Sequence, residues 1–505
     1  MLDDIKQDEN REEKLTELRQ LFSFASDVRA PWEGHWQECY DYTLPQRLSF
    51  SGAFSRGGHR TSQIFDATAM NAVDQLSASL LSELTPAWSS WFSLVPGSDL
   101  TDQEREDLSP ALEQATRIMQ DHFDRSNFIV EMHQAFMDLV TAGTGSLLVE
   151  EALVGDFSAF QFSAIPLSQL YVLEGEDGRL SITYRKVDLT SAQLKKRFGD
   201  LENYSIFERE EELAQAQQKK YSVIEAVIPH ENHYKYYAFL ENDEDSVVLE
   251  EGVFDQSPFI TFRWTKSPGE IYGRSPVMKS LPDIKTANKV VELILKNASI
   301  AVTGIWQADD DGVLNPANIK LVPGTIIPKA VGSAGLKPLE MPGNFDVSQL
   351  VLEDLRTRIK NALLVDKLAA LDGRNMTATE VLERSGEVTR ILGATYGRLQ
   401  SELLMPLLKR CYSILRRRGE IPDLDLDGRI VGVRYTSPIA QAQNSRDVQR
   451  LLSWVAQALS INGGLSTMID SEQVMKYAAD KLGIPEHFIQ SSPIEKTQIT
   501  EDEYV

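Results

Sequence analysis

The longest hydrophobic pattern in the chain predicts one helix from Met376 to Gly419. Thr377 and Glu380 form a capping box at its start, and Pro406 predicts a kink. Residues on one face recur at spacings of three, four and seven, the period of a helix with one buried stripe. They are Val381, Val388, Leu392, Thr395, Leu399 and Leu403. At 1.5 Å per residue the helix would be roughly 60 Å long, so more than one domain must support it.

Glycines and arginines modify this helix. Gly386, Gly393 and Gly397 lower its intrinsic helicity, which predicts that neighbouring backbones pack close against it. Arg416 to Arg418 complement the helix dipole in the last turn, where Gly419 ends the helix.

Two further amphipathic segments flank a region rich in Gly and Pro. The first spans about Ile284 to Ile300 and the second Val347 to Leu371, with a small α/β excursion from Gly304 to Phe345 between them. The apolar stripe of the first segment includes Ile284, Ala287, Val291, Ile294 and Ala298, and Lys285, Lys289 and Lys296 mark its opposite side. Because the segments are of comparable length, we expect them to lie side by side as a stalk with a knob at its tip.

The remaining patterns predict a chain of mixed helix and sheet. From Leu147 to Trp264 the period is two, which is typical of strands, with one short helix near Ser191 to Phe198. Helical patterns precede this region at Glu9–Tyr42 (with a break at Pro31), Asp66–Leu84, Thr101–Ser126 and Phe128–Thr141. A strand over Ile430–Tyr435 and helices from about Asn444 and Ser471 follow the long helix. The fold class is therefore α+β.

Several short motifs can be interpreted either as functional sites or as ordinary structural features. Trp88, Trp91 and Phe92 could stack bases, but a patch docked in the core is favoured. The Gly143-Thr144-Gly145 turn lacks the lysine and the strand order of a phosphate loop, so a plain helix-to-strand turn is favoured.

Metal and catalytic signals are equally weak. His230 and His233 could seed a zinc site, but a solvated hairpin turn is favoured because no further Cys or His lies nearby. Asp309 to Asp311 could bind a hard cation, but a solvated acidic turn is favoured. The sequence contains no HExxH, GxSxG, CxxC, Walker or dinucleotide pattern. We predict no catalytic residues, no cofactor and no metal.

Composition limits the class of protein. The 505 residues are 42% hydrophobic and 25% charged, as in ordinary globular proteins, and the formal net charge of −24 argues against a general nucleic-acid coat. Cys39 and Cys411 lie far apart without metal-ligand spacing, which predicts a reducing, cytoplasmic setting. The acidic start lacks the features of a signal peptide, and no apolar run is long enough to span a bilayer. We therefore expect neither export by that route nor a membrane protein.

Six motifs occur in an order that resembles a known family. They are Phe65-Asp66-Ala67-Thr68-Ala69, Leu84-Thr85-Pro86, Trp91-Phe92, Tyr272-Gly273-Arg274-Ser275-Pro276, Met376-Thr377-Ala378-Thr379-Glu380 and Tyr435-Thr436-Ser437-Pro438. In this order the chain resembles the head-to-tail connector, or portal protein, of short-tailed bacteriophages of the autographivirus type.

The resemblance implies a non-enzymatic ring of about twelve subunits at one capsid vertex of the virion, assembled in the host cytoplasm around a channel for double-stranded DNA. It implies capsid and scaffolding proteins, terminase and tail adaptor proteins as partners, with no membrane. It also implies a portal-type division of the chain. The parts are residues 1–271 (wing), 272–303 (first stem helix), 304–345 (clip), 346–367 (second stem helix), 368–375 (tunnel loop), 376–436 (long helix and wing return) and 437–505 (helical crown and tail).

Candidate site residues follow from the resemblance and from the charge pattern. The candidates for contact with DNA in the channel or tunnel loop are Lys367, Asp372, Gly373, Arg374, Asn375, Lys285 and Lys296. An ordinary turn between two helices is an equally supported interpretation of the loop. The candidates for subunit contact on the stem are Ile284, Val291 and Ile294.

The acidity of the chain bears on how a ring would hold DNA. Twelve chains of −24 would carry roughly −290 formal charges, which favours a conduit that guides DNA without gripping it. The alternative is that the acidity lies on the outer surface and serves only solubility.

A second class, a DNA-processing enzyme, stays open at this point. A packaging ATPase needs a phosphate loop, and a nuclease usually needs clustered carboxylates for metal ions. Neither motif is visible in the sequence, so the structural ring is favoured.

Overall fold

The computed structural model describes residues 2–47, 50, 61–199, 220–241, 248–303, 306–308, 336–338, 345–365, 393–461 and 471–482. The helices in these ranges are α1 (Leu2–Thr43), α2 (Thr68–Leu84), α3 (Asp102–Arg125), α4 (Phe128–Ala142), α5 (Ser191–Phe198), α6 (Pro276–Thr303), α7 (Phe345–Ala362), α8 (Met405–Arg418), α9 (Pro438–Ile461) and α10 (Ser471–Leu482). The strands are β1 (Phe92–Pro96), β2 (Thr144–Glu151), β3 (Phe160–Ala164), β4 (Leu170–Glu174), β5 (Leu180–Thr190), β6 (Lys220–His230), β7 (His233–Leu240), β8 (Val248–Phe254), β9 (Phe259–Arg263), β10 (Trp306–Ala308), β11 (Leu336–Pro338) and β12 (Val431–Tyr435). The α+β class is confirmed.

The region of period two forms two antiparallel sheets. Strands β4 to β8 pair in chain order, while β2 lies between β3 and β9 in a three-stranded sheet. Along β6 and β7 the buried side chains alternate between two clusters, because successive residues of a strand point to opposite faces. Ile224 and Phe239 meet Leu18 and Phe22 of α1, whereas Val223 belongs to the main core. The five-stranded sheet is therefore covered on both faces.

Helix α1 continues through Pro31, so the predicted break there is wrong. A proline inside a helix leaves the carbonyl four residues earlier without its N–H partner. That carbonyl belongs to Asp27, and both Asp27 and Pro31 are exposed, so water can take the place of the missing donor.

The turn at Gly143 brings two backbone segments into contact. Gly143 ends α4 in the left-handed region at φ +82° and leads directly into β2, which confirms the plain helix-to-strand turn. A Cβ on Gly273 would lie 2.0 Å from the Gly143 carbonyl oxygen, so no side chain fits there. The Gly273 N–H also donates to the Thr144 hydroxyl at 3.0 Å. This contact fixes the segment before α6 against the start of β2.

Helices α6 and α7 pack side by side, as the sequence predicts. Helix α6 begins earlier than the pattern indicates, because Ser275 caps it: the Ser275 hydroxyl accepts from the Met278 N–H at 2.9 Å and donates to the Thr141 carbonyl at 2.8 Å. Helix α7 ends at Ala362, earlier than predicted, and Leu364 takes a left-handed conformation at φ 57°. Strands β10 and β11 pair antiparallel within the predicted excursion.

The described part of the long helix is helical from residue 393 to Arg418, with one irregularity. Gln400–Leu404 form a π turn directly before Pro406, where an α-helix would need an N–H that proline lacks. Gly419 ends the helix in the left-handed region, as predicted. The close packing predicted at Gly393 and Gly397 is wrong, since nothing lies within 4 Å of a Cβ at either position. Residues 376–392, including Thr377, Glu380 and Gly386, lie outside the described residues.

The three aromatic residues before α3 differ in their exposure to solvent. Trp91 and Phe92 are buried and contact Phe123, which confirms their core role, but Trp88 is 79% exposed, so the core prediction is wrong for it. Strand β1, which contains Phe92, pairs antiparallel with β12, so it joins two segments that are far apart in the sequence. Helices α9 and α10 confirm the predicted C-terminal helices, although α9 begins before Asn444. Among the described helices, none is long and apolar enough to cross a membrane.

Candidate functional site

The predicted stripe of α6 faces mainly into the subunit. Ile284 is only 4% exposed, and Val291 and Ile294 are half-buried against the main core. The exposed large apolar side chains of the α6–α7 pair lie elsewhere, at Leu293, Leu295, Leu350 and Val351. On α6, Leu295 therefore borders the predicted stripe, whereas Leu293, two residues earlier, lies on the side of Lys289 and Lys296.

The α6–α7 pair is tied to the segment before α2 by a polar cluster. The Asn288 side-chain oxygen accepts from the Phe65 N–H at 2.6 Å and the Asp66 N–H at 3.1 Å, and its amide donates to the Gln63 carbonyl at 2.8 Å. Arg356 on α7 donates from Nε to the Asp66 carboxylate at 2.8 Å. The sequence patterns gave Asn288 no role. An asparagine directly after Ala287 of the apolar stripe can nevertheless indicate a buried side chain that needs hydrogen-bond partners.

Charge at Asp66 is stabilised by these contacts. Burial raises the pKa of the Asp66 carboxyl, but the hydrogen bonds from Thr68 and the Arg356 guanidinium outweigh it, so the pKa lies below its ordinary value. Asp66 is therefore a charged link between α7 and the start of α2.

The basic candidates on α6 have acidic partners. Lys285 Nζ lies 2.7 Å from a Glu38 carboxylate oxygen, and Lys296 and Lys289 share Glu292 at 2.5 and 2.9 Å. These ammonium groups are exposed, so the pairs are weak, but each lysine has a competing anion close by. The tunnel-loop candidates Lys367, Asp372, Gly373, Arg374 and Asn375 lie outside the described residues, as do Asp309 to Asp311.

A second polar cluster surrounds Arg263, whose side chain is fully buried. Its guanidinium contacts the carboxylates of Glu174 and Glu402, each at 2.7 Å, and donates to the carbonyls of Ile271 at 2.9 Å and Gly178 at 3.1 Å. The Arg263 N–H also donates to Glu402 at 3.0 Å. Burial lowers the pKa of the guanidinium, but its bonds to Glu402 and Glu174 outweigh this and raise the pKa. Sequence reasoning missed this cluster, because its members are distant in sequence and form no motif.

The histidine pair is part of a hairpin. His230 ends β6 and His233 begins β7, with ring centroids 5.0 Å apart, which confirms the hairpin turn. Within the described ranges, no three or more His, Cys, Asp or Glu side chains come together to hold a metal ion.

Comparison with known proteins gives a match over nearly the whole chain. Residues 15–489 match the family model described as bacteriophage head to tail connecting protein. The probable portal protein of Bordetella phage BPP-1 is 26% identical over 494 residues, covering 91% of this chain and 86% of that protein. The portal protein of Salmonella phage epsilon15 is 26% identical over 509 residues, covering 94% and 88%. That of Escherichia phage T7 is 22% identical over 419 residues, covering 80% and 75%.

The Asp66 cluster generates a pH-dependent prediction. Because the pKa of Asp66 is lowered in the folded chain, its stabilising effect is complete above its unfolded pKa of roughly 3.9 and is lost as the pH falls through the lower folded value. Asp66→Asn should therefore reduce the free energy of unfolding by about 2 kcal/mol at neutral pH. Denaturant unfolding at pH 7 and near pH 3 should show this difference shrinking at the lower pH.

The matched control is Asp74→Asn, which changes an exposed aspartate on the same helix α2. It should alter the unfolding free energy by less than about 0.5 kcal/mol at either pH. An Asp66→Asn effect that is equal at both pH values would show that the carboxylate charge is not what stabilises this cluster.

Proposed function

Because the chain belongs to the bacteriophage head-to-tail connecting protein family, we propose that it is the portal of its phage, a ring of about twelve copies at one capsid vertex of the virion. The single observation that carries this proposal is the family match over residues 15–489. That match includes both sheets, the α6–α7 pair and the C-terminal helices, so it concerns the whole architecture rather than one motif.

In the proposed ring, double-stranded DNA passes through a central channel during packaging and ejection. The α6–α7 pair forms the stem beside this channel, residues 304–345 the clip, 368–375 the tunnel loop, and the chain from 437 onward the crown. The sheets and N-terminal helices form the wing. The ring assembles in the host cytoplasm and meets capsid and scaffolding proteins, terminase and tail adaptor proteins. The protein acts as a conduit and a docking platform, without chemistry of its own.

The ion pairs on α6 fit a conduit with low friction. Glu38 and Glu292 compete with phosphate for Lys285 and Lys296, so these lysines can guide a duplex without holding it. The net charge of −24 per chain adds a repulsive field at low salt. We propose the same function for Lys367, Arg374 and Asn375 in the tunnel loop, with Asp372 limiting the grip and Gly373 allowing movement.

Subunits in the proposed ring meet along the stem. We place this contact on the exposed Leu293 and Leu295, which point to different sides of α6, so that each can face one of the two neighbours that a subunit has in a ring. The half-buried Val291 lies one helical turn before Leu295. Ile284 stays inside the subunit, where it packs α6 against the main core. Exposed large apolar side chains on one helix are typical of a protein–protein interface.

The assembled mass tests the proposal. The purified protein should form one closed species of about twelve 56.7 kDa chains, roughly 680 kDa, by native mass spectrometry. It should neither hydrolyse ATP nor cleave DNA in the presence of Mg²⁺. A monomer with either activity would instead support a DNA-processing enzyme.

The stem contact predicts a specific loss of assembly. Leu293→Asp together with Leu295→Asp places two charges in the proposed subunit contact, so the ring should dissociate at a protein concentration at least about tenfold higher than the wild type. Mass photometry across a dilution series measures this. Val253→Asp, a similarly exposed apolar position on β8, serves as the control and should leave the ring intact. Full assembly of the double variant at the lowest concentrations would place the subunit contact elsewhere.

The lysine pairs predict how the ring meets DNA. The wild-type ring should bind free duplex DNA weakly and without sequence preference. Glu292→Gln removes the carboxylate shared by Lys289 and Lys296, so DNA affinity should rise and the slope of log K against log salt should steepen by about one to two. A fluorescence-anisotropy titration at several salt concentrations measures both quantities.

The control for this titration is Glu353→Gln on α7, which removes one negative charge that interacts with Gln349 rather than with a lysine. It should leave the slope unchanged. Sub-micromolar affinity of the wild-type ring at physiological salt would contradict the low-friction conduit.

A further inference from the structure

The hairpin between β2 and β3 carries exposed apolar side chains at its tip. Leu153 is 80% exposed, Val154 98% and Phe157 90%. The Asp156 N–H donates to the Leu153 carbonyl at 3.1 Å, and Gly155 takes a φ of +107°, as the third residue of a tight turn often does. We refer to Leu153–Phe157 as the hairpin tip. Three large apolar side chains exposed on five consecutive residues mark an interaction site.

The base of the hairpin is held rigidly. The Ala152 N–H donates to the Ala159 carbonyl at 2.9 Å, and Arg418 at the end of α8 donates to the Ala152 carbonyl at 2.7 Å. On the other side, the Ala159 N–H donates to His122 Nδ1 at 3.0 Å, and the Ser158 hydroxyl donates to the His122 carbonyl at 2.8 Å. A tip presented on a fixed base loses little conformational freedom when it binds.

A cleft with matching chemistry lies on another part of the same chain. It has a volume of about 540 Å³ and is lined by one face of α1 and by the segment before α6. The lining residues are Val28, Pro31, Trp32, His35, Gly269, Glu270, Ile271 and Arg274. The Arg274 guanidinium lies over the Trp32 ring at 4.5 Å, so both are held in place. Phe24, one helical turn before Val28, is exposed and extends the apolar face.

The hairpin tip and the cleft lie at opposite ends of β2. Gly273, next to Arg274 of the cleft, packs on Gly143 directly before β2, whereas the tip follows Glu151 at the other end. Eight extended residues span roughly 26 Å, and β2 is fixed by its pairing with β3 and β9. A chain therefore cannot fill its own cleft with its own tip.

We propose that the hairpin tip of one subunit inserts into the cleft of a neighbouring copy of this chain. The inference rests on the proposed ring and names one of its contact surfaces. Two different surfaces on one rigid body make a head-to-tail contact, which generates a ring when the rotation closes. Trp and Arg in the cleft are the residue types that dominate binding energy in interfaces, and the apolar tip complements the apolar wall formed by Val28, Trp32 and Ile271.

Disulfide trapping tests this contact directly. Val154→Cys and Pro31→Cys are combined in one chain, and the purified assembly is treated with a mild thiol oxidant. Cys39 and Cys411 are fully buried and can stay in place. We expect a ladder of covalently linked chains on a non-reducing gel, reversed by reductant. Val130→Cys with Pro31→Cys is the control, since Val130 is exposed on α4 outside the tip and should form no ladder.

A charge substitution gives an independent measurement. Val154→Asp should raise the protein concentration at which the ring dissociates by about tenfold, while Val130→Asp should not, and neither should change thermal unfolding of the subunit. An assembled ring that gives no ladder and tolerates Val154→Asp overturns the inference and leaves the proposed function standing. A Val154→Asp variant that assembles normally but no longer joins capsid shells assigns the tip to a capsid protein and likewise overturns it. Failure of the wild-type chain to form any ring overturns the proposed function as well.

Discussion

A buried guanidinium joins the main parts of this subunit. Arg263 ends β9, and it contacts Glu174 at the end of β4, the Ile271 carbonyl on the path to α6, and Glu402 in the π turn of the long helix that continues as α8. A charge with no exposed surface is tolerated only with close partners, and removal of one partner from such a pair costs about 3–5 kcal/mol. The two sheets, the start of the α6–α7 pair and the long helix are therefore held in one arrangement.

This arrangement gives the proposed ring a rigid body to assemble from. The Gly143–Gly273 backbone contact and the Ser275 cap lie directly before α6, so the helix leaves the sheets at a fixed point. The Asn288 and Asp66 contacts then tie α6 and α7 to the segment before α2. Apolar surface remains on the outer side of α6 and at the hairpin tip, where a neighbouring copy can cover it. In the proposed ring, the acidic character of the chain would keep a passing duplex from binding tightly.

Much of the fold follows from local sequence patterns. The period of two predicts the sheets, and the short helix predicted near Ser191 to Phe198 is observed as α5 with those bounds. The break at Pro31 and the close packing at Gly393 were mispredicted, because both depend on whether solvent or protein lies beside the helix. The Arg263 to Glu402 contact joins residues 139 positions apart, which no local pattern reveals. The candidate site is predictable only in part, because the stripe on α6 specifies buried positions and not which side meets another subunit. The tunnel-loop residues rest on the family resemblance alone.

Electron cryomicroscopy of the purified assembly tests the central claim, that this chain forms a ring with the α6–α7 pair beside its channel. The account predicts a closed ring in which α6 and α7 surround the central opening and the five-stranded sheet lies at the periphery. It further predicts density that joins Arg263 to Glu402 in every subunit. A ring whose opening is bounded by the sheets, or an open filament instead of a ring, would contradict the account.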